Sequence, residues 1–191
     1  MGRALRADAE RSVRAILKAA ERVLADDAGT SMGQIAEAAG VTRITVHRRF
    51  ANRQALLDAL AVSAIHQLAE AIETARPGSA PALVALYRVA ANVLRVKSAW
   101  RFSLTHSTPH SDDAAAIWAD INAGTLELLA RAQREGLLDP ATDLEWTRQV
   151  YYALLSEALN RPGEKQDSTE DPDALAILVI DTLLHGGGPH G

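Results

Sequence analysis

Apolar residues recur along this chain at the three-and-four spacing of one-sided helices, from near its start almost to its end. Val13, Ile16, Leu17, Ala20, Val23 and Leu24 mark a first helix over about 9–27, closed by Gly29. Ser31 stands three residues before Gln34, the spacing at which each side chain satisfies the other's free backbone N–H at a helix start. That predicts a short helix over 32–39. Gly40 supplies the left-handed residue that ends it, and Thr42 is placed to cap a second short helix reaching Arg49. Leu56, Leu57, Leu60, Ala64, Leu68 and Ile72 then carry a longer helix over 53–74, stopped by Pro77 and Gly78.

Beyond it, Leu83, Leu86, Tyr87, Ala90, Val93 and Leu94 share one face of a helix starting near Pro81, and a short segment holding Trp100, Phe102 and Leu104 follows. Ser111, with Asp112 and Asp113 complementing the helix dipole, opens a helix that presents Ile117, Trp118, Ile121, Leu128, Leu129 and Ala132 and ends at Gly136. The last two helices are expected over 142–160 and 173–184, with a polar loop between them and a Gly-rich tail after. Residues 174–180 are apolar all round. A helix without a polar face has to be covered on two sides, here by its own bundle and by another subunit. No strand pattern or internal repeat is visible, so the expected fold class is all-α. It comprises an N-terminal three-helix domain (1–52) and a C-terminal bundle (53–191) for dimerisation and effector binding, the helix 53–75 connecting the two.

Charge sharpens this division. The formal net charge of −4 hides two halves of opposite sign: residues 1–60 hold 10 Lys and Arg against 7 Asp and Glu, or +3, and the remaining 10 against 17 give −7. Arg43, Arg48, Arg49 and Arg53 fall within eleven residues free of acids. Such a stripe suits phosphate, although a solvated helix face has the same composition. Zero Cys excludes disulfides, thiol nucleophiles and cysteine zinc sites. No run approaches the ~18 apolar residues of a membrane span, and the N-terminus has no apolar signal core, so a membrane partner is not expected and a cytoplasmic location is.

Helix, three-residue turn, helix is the frame in which the second helix enters the major groove while the first crosses the backbone. Residues 32–50 fit it. Ile35, Ala36, Ala39, Val41, Val46 and Phe50 supply the inner positions, which leaves Arg43, Ile44, Thr45, His47, Arg48 and Arg49 to face outward. At Ser31, Ile35, Ala36, Ala39, Gly40, Val41, Thr42, Phe50 and Arg53 the segment resembles the TetR family of bacterial transcriptional regulators. It departs at Ile44, where that family often has Gly, and at His47, where it usually has Tyr. The resemblance implies phosphate contacts from Ser31, Thr42, His47 and Arg53, base-edge approach by Arg43, Ile44 and Thr45, and either role for Arg48 and Arg49. It further implies a homodimer, paired through the last two helices, on a palindromic double-stranded DNA operator. Repression relieved by a small-molecule effector is the default output.

Tyr87, Trp100, Phe102 and Trp118 are the candidate lining of an effector pocket, and plain core is the competing reading for them. His106, His110, Asp112 and Asp113 hold ligand types for zinc, but Pro109 spoils the geometry that would align the two imidazoles, so no metal is expected and no cofactor either. Two other classes stay open. One is a DNA-binding regulator or activator whose bundle only dimerises. The other is an enzyme on a helical scaffold, against which stands the lack of a P-loop, a dinucleotide fingerprint, a nucleophile elbow or a zinc-protease helix.

Overall fold

The computed structural model describes residues 2–106, 112–160 and 171–186. Among them are nine α-helices and no strand: α1 (Gly2–Asp26), α2 (Met32–Ala38), α3 (Arg43–Arg49), α4 (Arg53–Thr74), α5 (Ala82–Ala99), α6 (Arg101–His106), α7 (Asp112–Arg134), α8 (Leu144–Glu157) and α9 (Pro172–His185), with a 3-10 turn at Pro77–Ser79. The bounds of α4 are those its apolar periodicity predicts. Helix α6 is a helix where the sequence showed only a short aromatic segment. The expected polar loop and the glycine-rich tail lie mostly outside the described residues.

The chain divides into two compact units, Met1–His66 with Trp100–Ala115 and Gln67–Ala99 with Ala116–Gly191. The core of the first, the head, gathers Ile16, Leu17, Ala20 and Leu24 of α1, Ile35 and Ala36 of α2, Val46 and Phe50, Leu56 and Leu60 of α4, and Phe102. Fully burying side chains such as Ile35, Val46 and Leu56 stabilises by about 1.5–3 kcal/mol each, the main force holding two seven-residue helices that would not persist alone. The turn after α1 is closed locally. Asp27 accepts the Gly29 N–H at 2.8 Å, and the Thr30 hydroxyl donates to the Asp27 carbonyl at 2.7 Å.

In the second unit, the bundle, α5 lies against α9 and α8 against both. Leu86, Val89, Ala90, Val93 and Leu94 pack with Leu128, Leu129 and Ala132 of α7, Tyr151 and Leu155 of α8, and Leu175, Ala176, Val179 and Ile180 of α9. Asp143 and Asp171 cap α8 and α9 through their carboxylates. Gly136 terminates α7 at φ 77°, a conformation a side chain would strain. Helix α4, continued through Ser79, is long and apolar enough by composition to cross a membrane, but its Leu56, Leu60, Ala64, Ile65 and Leu68 are buried within the protein.

Candidate nucleic-acid interface

Each end of the two short helices is fixed by a short-range hydrogen bond. Ser31 caps α2: its Oγ accepts the Gln34 N–H at 3.3 Å, and Gln34 Oε1 accepts the Ser31 N–H at 2.9 Å. At the other end Gly40 takes φ 65°, its N–H bonding to the Glu37 carbonyl at 3.0 Å while the Val41 N–H reaches the Ala36 carbonyl at 3.0 Å. Those paired bonds stop α2 and turn the chain sharply. Thr42 then caps α3, accepting the Thr45 N–H at 3.1 Å, and its hydroxyl lies 2.9 Å from that of Thr45.

Because Val46 and Phe50 point into the head core, the opposite side of α3 is left to solvent. Arg43, Ile44, His47, Arg48 and Arg49 are exposed there, and Thr45 is half-buried. Among the described residues no ion pair involves any of these cations. Three basic groups fall in the last turn of α3. A rigid helix carrying unneutralised cations on its outer face is built to meet a polyanion.

Arg53 is used differently. Its guanidinium donates to the carbonyl of Thr30 and, at 2.5 Å, to that of Ala28, clipping the first residue of α4 to the α1–α2 turn just before the Ser31 cap. Glu21 is a residue the sequence reading passed over. Its carboxylate is buried, 4% exposed, and accepts the N–H of Phe102 at 2.6 Å, the N–H of Ser103 at 3.2 Å and the Ser103 hydroxyl. It closes the start of α6 with an anion, where unpaired N–H groups favour one. The signal was present: Glu21 sits between Leu17 and Leu24, in register with the buried stripe of α1.

The four aromatics considered for an effector pocket are distributed between the units. Trp100 packs against, and Phe102 belongs to, the head core, whereas Tyr87 and Trp118 pack against the bundle core. In the bundle the Tyr87 hydroxyl donates to Asp181 Oδ1 at 2.6 Å, a bond that with burial pushes its pKa up to about 12. Lys97 donates to Ser156 Oγ at 3.1 Å, and burial holds its amine below the ordinary lysine range. Asn122 Oδ1 accepts from both Arg148, at 3.0 Å, and the Tyr152 hydroxyl, at 3.0 Å. The Tyr151 hydroxyl is buried with no hydrogen-bond partner among the described residues. No group of three or more His, Asp or Glu suited to a metal occurs among them. His110, one of the residues weighed for zinc, lies outside the described residues.

A capped pair of helices at a glycine turn, presenting a cationic face and joined to a helical bundle, defines a helix-turn-helix DNA-binding regulator. The model of the bacterial regulatory proteins of the tetR family matches residues 16–60. The HTH-type transcriptional repressor LfrR of Mycolicibacterium smegmatis is 40% identical over 177 residues, 92% of each chain. The chain belongs to the TetR family. The crystal structure of the TetR-like regulator LfrR from Mycobacterium smegmatis in complex with proflavine superposes with a TM-score of 0.75 at 32% identity, covering 95% of this chain and 98% of that one. The TetR family regulator PfmR of Thermus thermophilus has a TM-score of 0.75 at 17% identity, over 91% and 99% of the chains, a likeness of fold alone.

Proposed function

We propose that this chain is a homodimeric repressor that holds a palindromic DNA operator through the outer face of α3 and releases it when a small molecule binds its bundle. The single observation that carries the DNA half is the exposed set Arg43, His47, Arg48 and Arg49, without an ion pair among the described residues, on a helix braced from behind by Val46 and Phe50. In this reading Arg43, Ile44 and Thr45 approach base edges, Arg48 and Arg49 serve bases or phosphates, and Ser31, Thr42 and His47 lie along the phosphates, while Arg53 contributes its charge from behind as it holds the α1–α2 turn. The relative's name supports repression, and the activity is binding rather than catalysis. Such a protein works beside the chromosome, in the bacterial cytoplasm.

The second copy pairs through α8 and α9. Trp146 is 63% exposed, Ile177 53% and Leu178 44%, with exposed Ala153 and Ala174 beside them, an apolar surface that a partner would remove from water. Proflavine, bound by LfrR, is the first effector to test. Tyr87 and Trp118 are the bundle's aromatic candidates for its contact, and the −7 balance beyond residue 60 suits a cationic ring system. Selection of bound duplexes from a random pool tests the reading: an enriched inverted repeat, released on titration with proflavine, supports it in full. A pool without enrichment overturns the DNA assignment. A repeat that proflavine leaves bound removes proflavine as the effector.

A further inference from the structure

Ile44 is 78% exposed, the most exposed large apolar side chain among the described residues, and it stands on the one face that is otherwise cationic. Neither packing nor helix formation accounts for it. The fold leaves most of it in water, and a β-branched residue is a poorer helix former than the straight-chain residues that usually occupy exposed positions. Its exposed helical neighbours are Arg43, His47 and Arg48, the last two at three and four residues' distance and therefore on the same side of α3. A surface that is basic with one apolar point fits a polyanion that carries an apolar group in its floor. Duplex DNA has one such group in the major groove, the C5 methyl of thymine.

We infer that Ile44 is a specificity-determining residue that reads a thymine methyl in each operator half-site. The inference rests on the DNA-binding assignment above and adds the identity of a base to it. Because the contact is made through a methyl group and not through a hydrogen bond, it discriminates thymine from deoxyuridine, whose pairing edges are the same. Burying about one methyl group's worth of apolar surface corresponds to a change of about fourfold per half-site, and about sixteenfold when both half-sites are altered together.

The test uses the full-length protein and an operator duplex recovered by selection, with fluorescence anisotropy as the readout. Each thymine is replaced in turn by deoxyuridine. The expected result is one sensitive position per half-site for the wild type. Ile44→Ala should bind the parent duplex about as weakly as the wild type binds the deoxyuridine duplex, and should not respond to the replacement. Ile44→Ala keeps the fold, with a melting temperature equal to or above the wild type's, since alanine is the better helix former. Wild type indifferent at every thymine of a duplex it does bind overturns the inference and leaves the DNA assignment standing. The same holds if the selected half-sites share no thymine, or if Ile44→Ala retains the full deoxyuridine effect. Failure to select any duplex overturns both.

Discussion

Removing the Glu21 carboxylate should destabilise the head far more than its single charge suggests. The carboxylate occupies a site 4% exposed and accepts two backbone N–H groups and the hydroxyl of Ser103, itself fully buried. Two effects oppose each other in Glu21→Ala. Deleting a buried charge relieves its desolvation, which on its own favours the variant. Deleting the acceptor strands three donors, each worth about 1–3 kcal/mol when left unsatisfied. Water entering the vacated volume recovers part of that sum. Three stranded donors outweigh the relief, and the expected loss is about 3 kcal/mol, a large share of the 5–15 kcal/mol that keeps a typical domain folded. Glu21→Gln, which retains one carbonyl oxygen, should lose about half as much. Urea unfolding followed by tryptophan emission checks this, because Trp100 packs against the head core. With a slope of about 1–3 kcal/mol per molar, the midpoint of Glu21→Ala should fall by at least ~1 M. Ser103→Ala made in the Glu21→Ala background should add little to the loss. An unchanged midpoint with an unchanged slope for Glu21→Ala would refute the account of α6 being closed by this carboxylate.

Arg53→Lys keeps the charge but replaces a two-pronged donor by a point ammonium, so the melting temperature of the head should drop while the salt dependence of DNA binding stays the same. Arg49→Ala should do the reverse, flattening the salt slope by about one unit per protomer, about two for the dimer, without lowering the melting temperature; identical behaviour of the two variants would refute the loop-clipping role of Arg53. Tyr151→Phe should leave stability unchanged or raise it by about 1 kcal/mol in thermal unfolding, since it removes a buried hydroxyl without a partner among the described residues, and a loss above 1 kcal/mol would show that the hydroxyl is satisfied. Tyr87, held up to about 12 first by its hydrogen bond to Asp181, keeps its proton in the folded chain when the unfolded chain has lost it. Its contribution is complete below the ordinary value near 10 and disappears as pH rises through about 12. Unfolding titrations over that window should therefore steepen for the wild type and not for Tyr87→Phe.

The parts of the molecule legible in the sequence are those set by short-range chemistry. Ser31 with Gln34, Gly40 with its left-handed turn, and Thr42 with Thr45 act across three residues, and each is visible in a string of letters. The alternation of inner Val46 and Phe50 with outer Arg43, Ile44, His47 and Arg48 follows from helical period alone. What escaped reading depends on distant partners. Glu21 meets Phe102 across 81 residues, and Arg53 meets Ala28 across 25, separations at which periodicity can mark a buried position, as it does for Glu21, but names no partner. Trp100, Phe102, Tyr87 and Trp118 show the same limit, because an aromatic identity announces burial without saying in which core.

The position of α6 changes what counts as a portable module. Cut after residue 66, the N-terminal piece would hold every side chain proposed to face DNA yet lack Trp100 and Phe102, and it would expose a bare carboxylate at Glu21 where a helix end belongs. A chimera that moves this reading head onto another sensor has to carry Trp100–Ala115 with it, as a second, discontinuous graft.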